Sequence, residues 1–396
     1  MQRKIAIINS VCGIGSTGRI VNDLTLFLRS KGFDARIFFG RNTNDFKAPY
    51  AKCFSNLLDF GVHAFEARLF DKSGFSSNHV THRLINGLNC FDPDLIILNN
   101  LHGYYVNITI LFNWIKSKNK KIILVCHDCW NFTGHCAHFD YVNCDRWKKQ
   151  CFSCPLKTSY PKSILRDRSR KNYLLKKQLY SNVENMTIVS PSKWLSSIIG
   201  ESFLGSYKTV VINNGIDTNV FKRNDGGDFR IRYGIGDKKI ILCIAYIFGK
   251  RKGIDDILAL SNLLDENELI VLVGHLKEHA RLDNNKILHI EKTDDLKQLV
   301  ELYSASDVVF NPTYEDNYPT VNMEALSCGT PVVCYKTGGA YEMLDKKYVI
   351  EKGDYKAAHL LMREIFDKRI KNLDHQDFST EKMHNQYLNL IESMLS

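Results

Sequence analysis

The sequence predicts an α/β protein built from two Rossmann-like, doubly wound halves that face a cleft. Three observations carry that expectation. Short apolar runs alternate with helix-period segments along most of the chain, the pattern of repeated β-α-β units. Turn residues, glycine above all, follow several of these runs at the carboxyl ends of the strands, where such sheets bind ligands. A chain of 396 residues with 44% hydrophobic content has material for two cores.

In the first half, 4–10 (KIAIINS) reads as a buried strand, 13–18 as a glycine-rich turn, and 18–29 as a helix stopped before Gly32. Further strands are expected at 34–39, 95–99, 121–126 and 187–190, with helices at 56–70 and 108–117. A second series begins with a strand at 239–246 and a helix at 254–264. It continues with strands at 268–274 and 286–290, a helix at 294–304 and a strand at 307–311. The predicted domains are 1–205, with a cysteine-rich loop at 129–156, then 206–375, then a closing helix within 376–396.

Residues 310–342 hold the densest chemistry. Asp316 sits in a loop and Glu324 near the start of a helix at 321–327, eight positions apart, so both can face one cleft, one for a sugar and one for a ribose. Val332 and Val333 then read as a buried parallel strand, and Gly338-Gly339 lets the backbone approach a ligand where a Cβ would clash. In IFGKRKGIDD, Lys250, Arg251 and Lys252 stand between a strand and a helix, where cations can neutralise a departing diphosphate without a metal.

These residues resemble the donor-binding motif of family 4 retaining glycosyltransferases, which have the GT-B fold. That motif has two glutamates separated by seven residues, a strand, and a later Gly-Gly-x-x-Glu. Asp316 takes the first glutamate's place, Glu324 the second, and Gly338, Gly339 and Glu342 the downstream positions. Pro319 stands where the family more often carries glycine; lacking an N–H, it leaves Thr320 and Val321 to hold the diphosphate. The resemblance implies that Gly15 and Ser16 contact phosphate, that Lys252 and Arg251 offset the leaving-group charge, and that His127 touches the sugar and aids acceptor deprotonation. It also implies transfer from a UDP- or GDP-sugar to a lipid-linked saccharide with retention, no catalytic cofactor, and a role in capsular, O-antigen or colanic-acid-type polysaccharide synthesis. The last helix, 379–395, is expected to pack on the N-terminal domain, with Met383, Tyr387, Leu390 and Met394 on its apolar face.

Charge and cysteine content bound the alternatives. A net charge of +10 favours anionic partners. The stretch 146–177 interleaves eleven Lys and Arg with Trp147, Phe152, Tyr160 and Tyr173, which suits peripheral contact with an anionic membrane. The opening MQRKIAIINS does not read as a signal peptide, so a cytoplasmic address and reduced thiols are expected. Cys136, Cys144, Cys151 and Cys154 fall within nineteen residues and suit a structural zinc. That cluster also founds a rival reading, a zinc-bearing nucleic-acid-binding protein, against which the remaining motifs argue for a sugar-nucleotide site and no nucleic acid partner. Gly13, Gly15 and Gly18 satisfy GxGxxG, but Gly40 and Arg41 stand where a dinucleotide-binding acid would follow the second strand. A nucleotide-sugar 2-epimerase of the same fold is the alternative enzyme.

Overall fold

The computed structural model describes residues 2–41, 46–277, 285–368 and 376–396. It divides into two compact units, Met1–Ile212 with His384–Ser396, and Asn213–Met383. The expected junction at 375/376 touches residues outside the described ones.

The first unit holds seven strands: β1 (Lys4–Val11), β2 (Asp34–Arg41), β3 (Ala51–Cys53), β4 (Leu95–Leu98), β5 (Lys121–Val125), β6 (Met186–Ser190) and β7 (Thr209–Val211). Its helices are α1 (Gly15–Ser30), α2 (Leu57–Phe70), α3 (Asn78–Phe91), α4 (Ile108–Lys118), α5 (Ser169–Tyr180) and α6 (Lys193–Glu201). The sheet runs β3-β2-β1-β4-β5-β6-β7, every pair parallel. Strand order reverses between β1 and β4, so the loops after these strands diverge and leave room at their carboxyl ends. Ile5 to Ile8 and Leu95 to Leu98 are fully buried, as a sheet covered on both faces requires. Residues 384–396 belong to this unit: the His384 ring lies 5.0 Å from Phe27, and Lys121 Nζ donates to the Met394 carbonyl at 2.5 Å.

In the second unit α7 (Gly227–Arg232) precedes β8 (Lys239–Phe248), α8 (Ile254–Ser261), β9 (Glu268–Leu276), β10 (Ile287–Ile290), α9 (Leu296–Ala305) and β11 (Val308–Asn311). Then come α10 (Thr320–Ser327), β12 (Val332–Tyr335), β13 (Val349–Ile350) and α11 (Tyr355–Lys368), and α12 (Thr380–Leu395) begins in this unit and belongs to the first from His384 onward. This sheet runs β10-β9-β8-β11-β12-β13, again all parallel. Alternate residues of its strands feed opposite cores: Leu242 and Val309 go to one, Ile241, Val308 and Phe310 to the other. The switch lies between β8 and β11, whose following loops carry KRKG and residues 312–319.

The two parallel sheets are those the sequence predicts. Helix α1 starts at Gly15, three residues before its expected start, because Gly13 and Gly15 at φ +72° and +62° complete the turn quickly. Helices α3, α5, α6, α7 and α11 and the edge strands β3, β7 and β13 lie outside the predicted elements.

Candidate active site

In the second unit the two switch-point loops are laced together. Lys252 ends the single turn Lys250–Lys252 after β8, and its Nζ donates to Asp316 Oδ2 at 2.5 Å, with both side chains 21% exposed. Beside it, Arg251 donates a guanidinium N–H to the Glu315 carbonyl at 2.7 Å, while the Arg251 carbonyl accepts from the Tyr314 amide at 2.8 Å. Arg251 thus fixes the acidic loop to KRKG. Glu315, one residue out of register with the motif, is buried, whereas the Asp316 carboxylate stays partly open and meets the lysine.

Gly338 closes the arrangement from the other side. Its φ is +52°, and a Cβ there would lie 2.0 Å from the Asp316 carbonyl oxygen, so only glycine permits this approach. The same carbonyl accepts from the Gly339 amide at 3.1 Å. Asp256, on α8, accepts from the hydroxyls of Tyr314 and Tyr335, each at 2.8 Å, and so ties α8 to both the acidic loop and β12.

Helix α10 begins at Thr320 with Pro319 in the capping position and no side-chain cap. Thr320 and Val321 therefore open a helix whose first-turn amides no capping side chain serves, an arrangement suited to an anion. Farther along, Glu324 Oε2 accepts from the buried Tyr303 hydroxyl at 2.8 Å, which fixes the carboxylate against α9. Burial first and Glu324 second push the Tyr303 hydroxyl well up, so it serves as donor.

In the first unit, α1 also opens without a side-chain cap, Ile14 occupying that position. A Cβ added to Gly15 would meet nothing within 4 Å, so open space lies beside the loop at Gly15 and Ser16. At the end of β5, His127 Nε2 pairs with Asn99 Oδ1 at 3.1 Å. Burial pushes His127 down to about 4, leaving a neutral ring at pH 7.

Buried His102, in the loop after β4, brings further polar groups to the same end of the sheet. His102 Nε2 lies 2.8 Å from Asp128 Oδ2, and its Nδ1 lies 3.0 Å from the Tyr160 hydroxyl. Burial raises Asp128, but the His102 charge and hydrogen bond outweigh it and hold the carboxyl well below its usual range. His102 and Asp128 stand 26 positions apart and Tyr160 a further 32 on, so nothing local in the sequence marks their meeting.

The four cysteines of the expected zinc staple, Cys136, Cys144, Cys151 and Cys154, all lie in or against the core of the first unit. Among the described residues, no group of three or more His, Cys, Asp or Glu is arranged to hold a metal ion. Cys136 and Cys154 instead share a hydrogen bond, which lowers Cys154 to about 7 and raises Cys136. Cys151 Sγ accepts from the Gly134 amide at 3.3 Å, and Cys144 contributes its carbonyl to Trp147 Nε1 at 3.0 Å. The basic, aromatic stretch is likewise not one surface. Trp147, Tyr173 and Lys176 are buried, and Lys176 Nζ donates to the Trp130 carbonyl at 2.6 Å.

Residues 227–381 match the family model described as glycosyl transferases group 1. Over 345 residues the chain is 26% identical to WcaC of Escherichia coli (strain K12), assigned to colanic acid biosynthesis as a glycosyl transferase; the match covers 83% of this chain and 82% of WcaC. Its fold is similar to that of the sucrose-phosphate synthase from Thermosynechococcus elongatus, with a TM-score of 0.71 and 16% identity over 99% of both chains. Anabaena HepE in complex with UDP superposes with a TM-score of 0.67 at 14% identity, covering 99% of this chain and 100% of HepE.

Proposed function

We propose that this chain is a glycosyltransferase of group 1 and that it moves a sugar from a UDP- or GDP-sugar to a lipid-linked saccharide with retention. The product would enter a bacterial surface polysaccharide, a reading supported by the similarity to WcaC. The observation that carries the donor assignment is the Lys252–Asp316 pair, held by the Gly338 approach, with Asp316 four positions before Thr320 at the uncapped start of α10.

In this reading the Thr320 and Val321 amides and Lys252 take the diphosphate. The bond between the anomeric carbon and the diphosphate oxygen breaks as the acceptor hydroxyl oxygen bonds the same face of that carbon. The hydroxyl proton passes to the departing diphosphate oxygen, so no cofactor is consumed. Lys252 stabilises charge that grows as the bond breaks, the interaction that lowers a barrier. Asp316 orients Lys252 and borders the sugar, Glu324 takes the ribose, and Gly338 and Gly339 permit close approach. Arg251 positions the acidic loop. Gly15 and Ser16 contact phosphate, and His127, neutral at pH 7, hydrogen-bonds the sugar. A ring of such low basicity is a poor proton acceptor, so deprotonation falls to the diphosphate.

A lipid-linked acceptor places the protein at the cytoplasmic face of a membrane. No helix among the described residues is long and apolar enough to cross one, so contact would be peripheral. The test is incubation of the purified protein with UDP- and GDP-sugars, with and without polyprenyl-diphosphate saccharides, followed by product identification and assignment of the anomeric configuration. Acceptor-dependent transfer with retention is expected. Conversion of a sugar nucleotide into its C2 epimer without acceptor would replace this reading by the epimerase.

A further inference from the structure

Helix α2 is apolar on its outward face as well as its inward one. His63, Ala64 and Ala67 are buried, whereas Leu57 is 76% exposed, Leu58 81%, Val62 63% and Phe65 60%. Leu58, Val62 and Phe65 stand at helical spacing and form one stripe. The helix is stably begun, by a capping box between Asn56 and Asp59, so the stripe belongs to a well-formed helix. The stripe is widened by Ile164 and Leu165, 52% and 64% exposed. Their loop is pinned to the end of α2 by the Ile164 amide, which donates to the Arg68 carbonyl at 2.6 Å, and by the Arg166 amide, which donates to the Leu69 carbonyl at 3.2 Å.

Charge around this patch is positive in sum, Arg68, Lys72, Arg83, Lys162 and Arg166 outnumbering Asp59, Glu66 and Asp167. Both acids on the helix are engaged by cations: Asp59 pairs with Arg83, and Glu66 pairs with Lys72 at 3.3 Å. Exposed Arg68, Lys162 and Arg166 add positive charge near its C-terminal end, and the Arg166 guanidinium lies 5.9 Å from the Phe70 ring centroid. Apolar side chains rimmed by cations fit the boundary between acyl chains and anionic headgroups. A second copy would bring the same cations against its own, which opposes self-association through this face.

We propose that the outward face of α2, with residues 164–166, is an anchor that lies in the headgroup region of an anionic phospholipid bilayer. It rests on the lipid-linked-acceptor reading and names the surface through which the chain meets its acceptor's membrane.

Co-sedimentation of the full chain with phosphatidylcholine vesicles, and with vesicles containing 30% phosphatidylglycerol (roughly the anionic share at which basic rims act), tests the anchor. The unmodified chain is expected to bind the anionic vesicles about tenfold or more better than the neutral ones. The double variant Val62→Asp/Phe65→Asp is expected to lose about tenfold of that binding while unfolding at the same temperature, since both sites are exposed. Arg68→Ala/Arg166→Ala is expected to weaken anionic binding, each charge by about fivefold, and to leave neutral binding unchanged. Undiminished binding of Val62→Asp/Phe65→Asp, or no binding by the unmodified chain, overturns the proposal. So does a dimer in sedimentation velocity that this variant converts to monomer, which would assign the patch to a second copy. Transfer to a water-soluble acceptor analogue is read in parallel. If the variant loses vesicle binding but keeps this transfer, the anchor stands with the transferase; if no protein transfers sugar, the functional reading fails while the vesicle result still judges the anchor.

Discussion

Substituting Gly338 by alanine separates the geometry of the acidic loop from ordinary backbone strain. Two costs apply. At φ +52°, an L-residue carries about 1–2 kcal/mol of left-handed strain. In addition, the new Cβ would lie 2.0 Å from the Asp316 carbonyl oxygen, where ordinary contact begins at 3.4 Å, so the loop must yield by about 1.4 Å. That loop bears the carboxylate that orients Lys252, and a shift on the order of 1 Å at a reacting centre costs about 100-fold in rate. Gly234 supplies the control: its φ is +61° and a Cβ there meets nothing within 4 Å. Gly234→Ala should therefore lose only the strain cost of about 1–2 kcal/mol and keep its activity, while Gly338→Ala should lose about 100-fold in kcat/KM. Initial rates of nucleotide diphosphate release, read beside thermal unfolding, measure both. Gly338→Ala within threefold of the parent rate, or two variants inactivated in proportion to their loss of stability, would refute the assignment of Asp316.

Other outcomes follow from the same geometry. Lys252→Met should lower kcat by about 100-fold, as loss of one preorganised donor does, with Lys252→Arg recovering part; steady-state kinetics showing only a raised donor KM would reduce Lys252 to a binding role. Pro319→Asp should cap α10 and add about 1 kcal/mol of stability, yet raise donor KM by about tenfold because the new carboxylate competes for the anion's amides. Urea unfolding that shows both gains, tighter folding and tighter donor binding, would remove the diphosphate from that helix start. For His127, which burial holds at about 4, below the ordinary histidine value of 6.5, the unfolded chain binds a proton the folded chain refuses. Stability is then complete above about pH 6.5 and falls as pH drops toward 4, by about 1–3 kcal/mol. A His127→Asn chain with the same slope in that window would locate the titration elsewhere.

Much of the scaffold could be read locally because a buried parallel strand is a run of branched aliphatics between turn residues. KIAIINS, LIILNN and KIILVC each announce themselves. The edge strand β3 is a three-residue segment, Ala-Lys-Cys, that pairs with only one neighbour, so its composition carries no such mark. The acidic motif was legible through spacing, but not its internal division of labour. That Arg251 grips a carbonyl while Lys252 takes the carboxylate depends on how two loops meet, 64 positions apart. The cysteine loop hides its detail for the same reason: spacing shows four thiols close in sequence, but not that Cys136 and Cys154 share a hydrogen bond while Cys151 Sγ accepts from the Gly134 amide. The apolar residues of helix α2 are spread round its axis and interrupted by Asp59, Glu66 and Arg68, so the sequence pattern does not mark which of its sides lies uncovered.

The fork at Asp256 constrains how this sequence can drift. Either tyrosine, Tyr314 or Tyr335, can become phenylalanine while the carboxylate keeps its other partner. Loss of Asp256 first would instead orphan two hydroxyls at once, a larger cost than either single step. Evolution toward an apolar version of this junction is therefore directional: the tyrosines go before the aspartate, and relatives caught midway should keep the acid with one tyrosine far more often than two tyrosines without the acid.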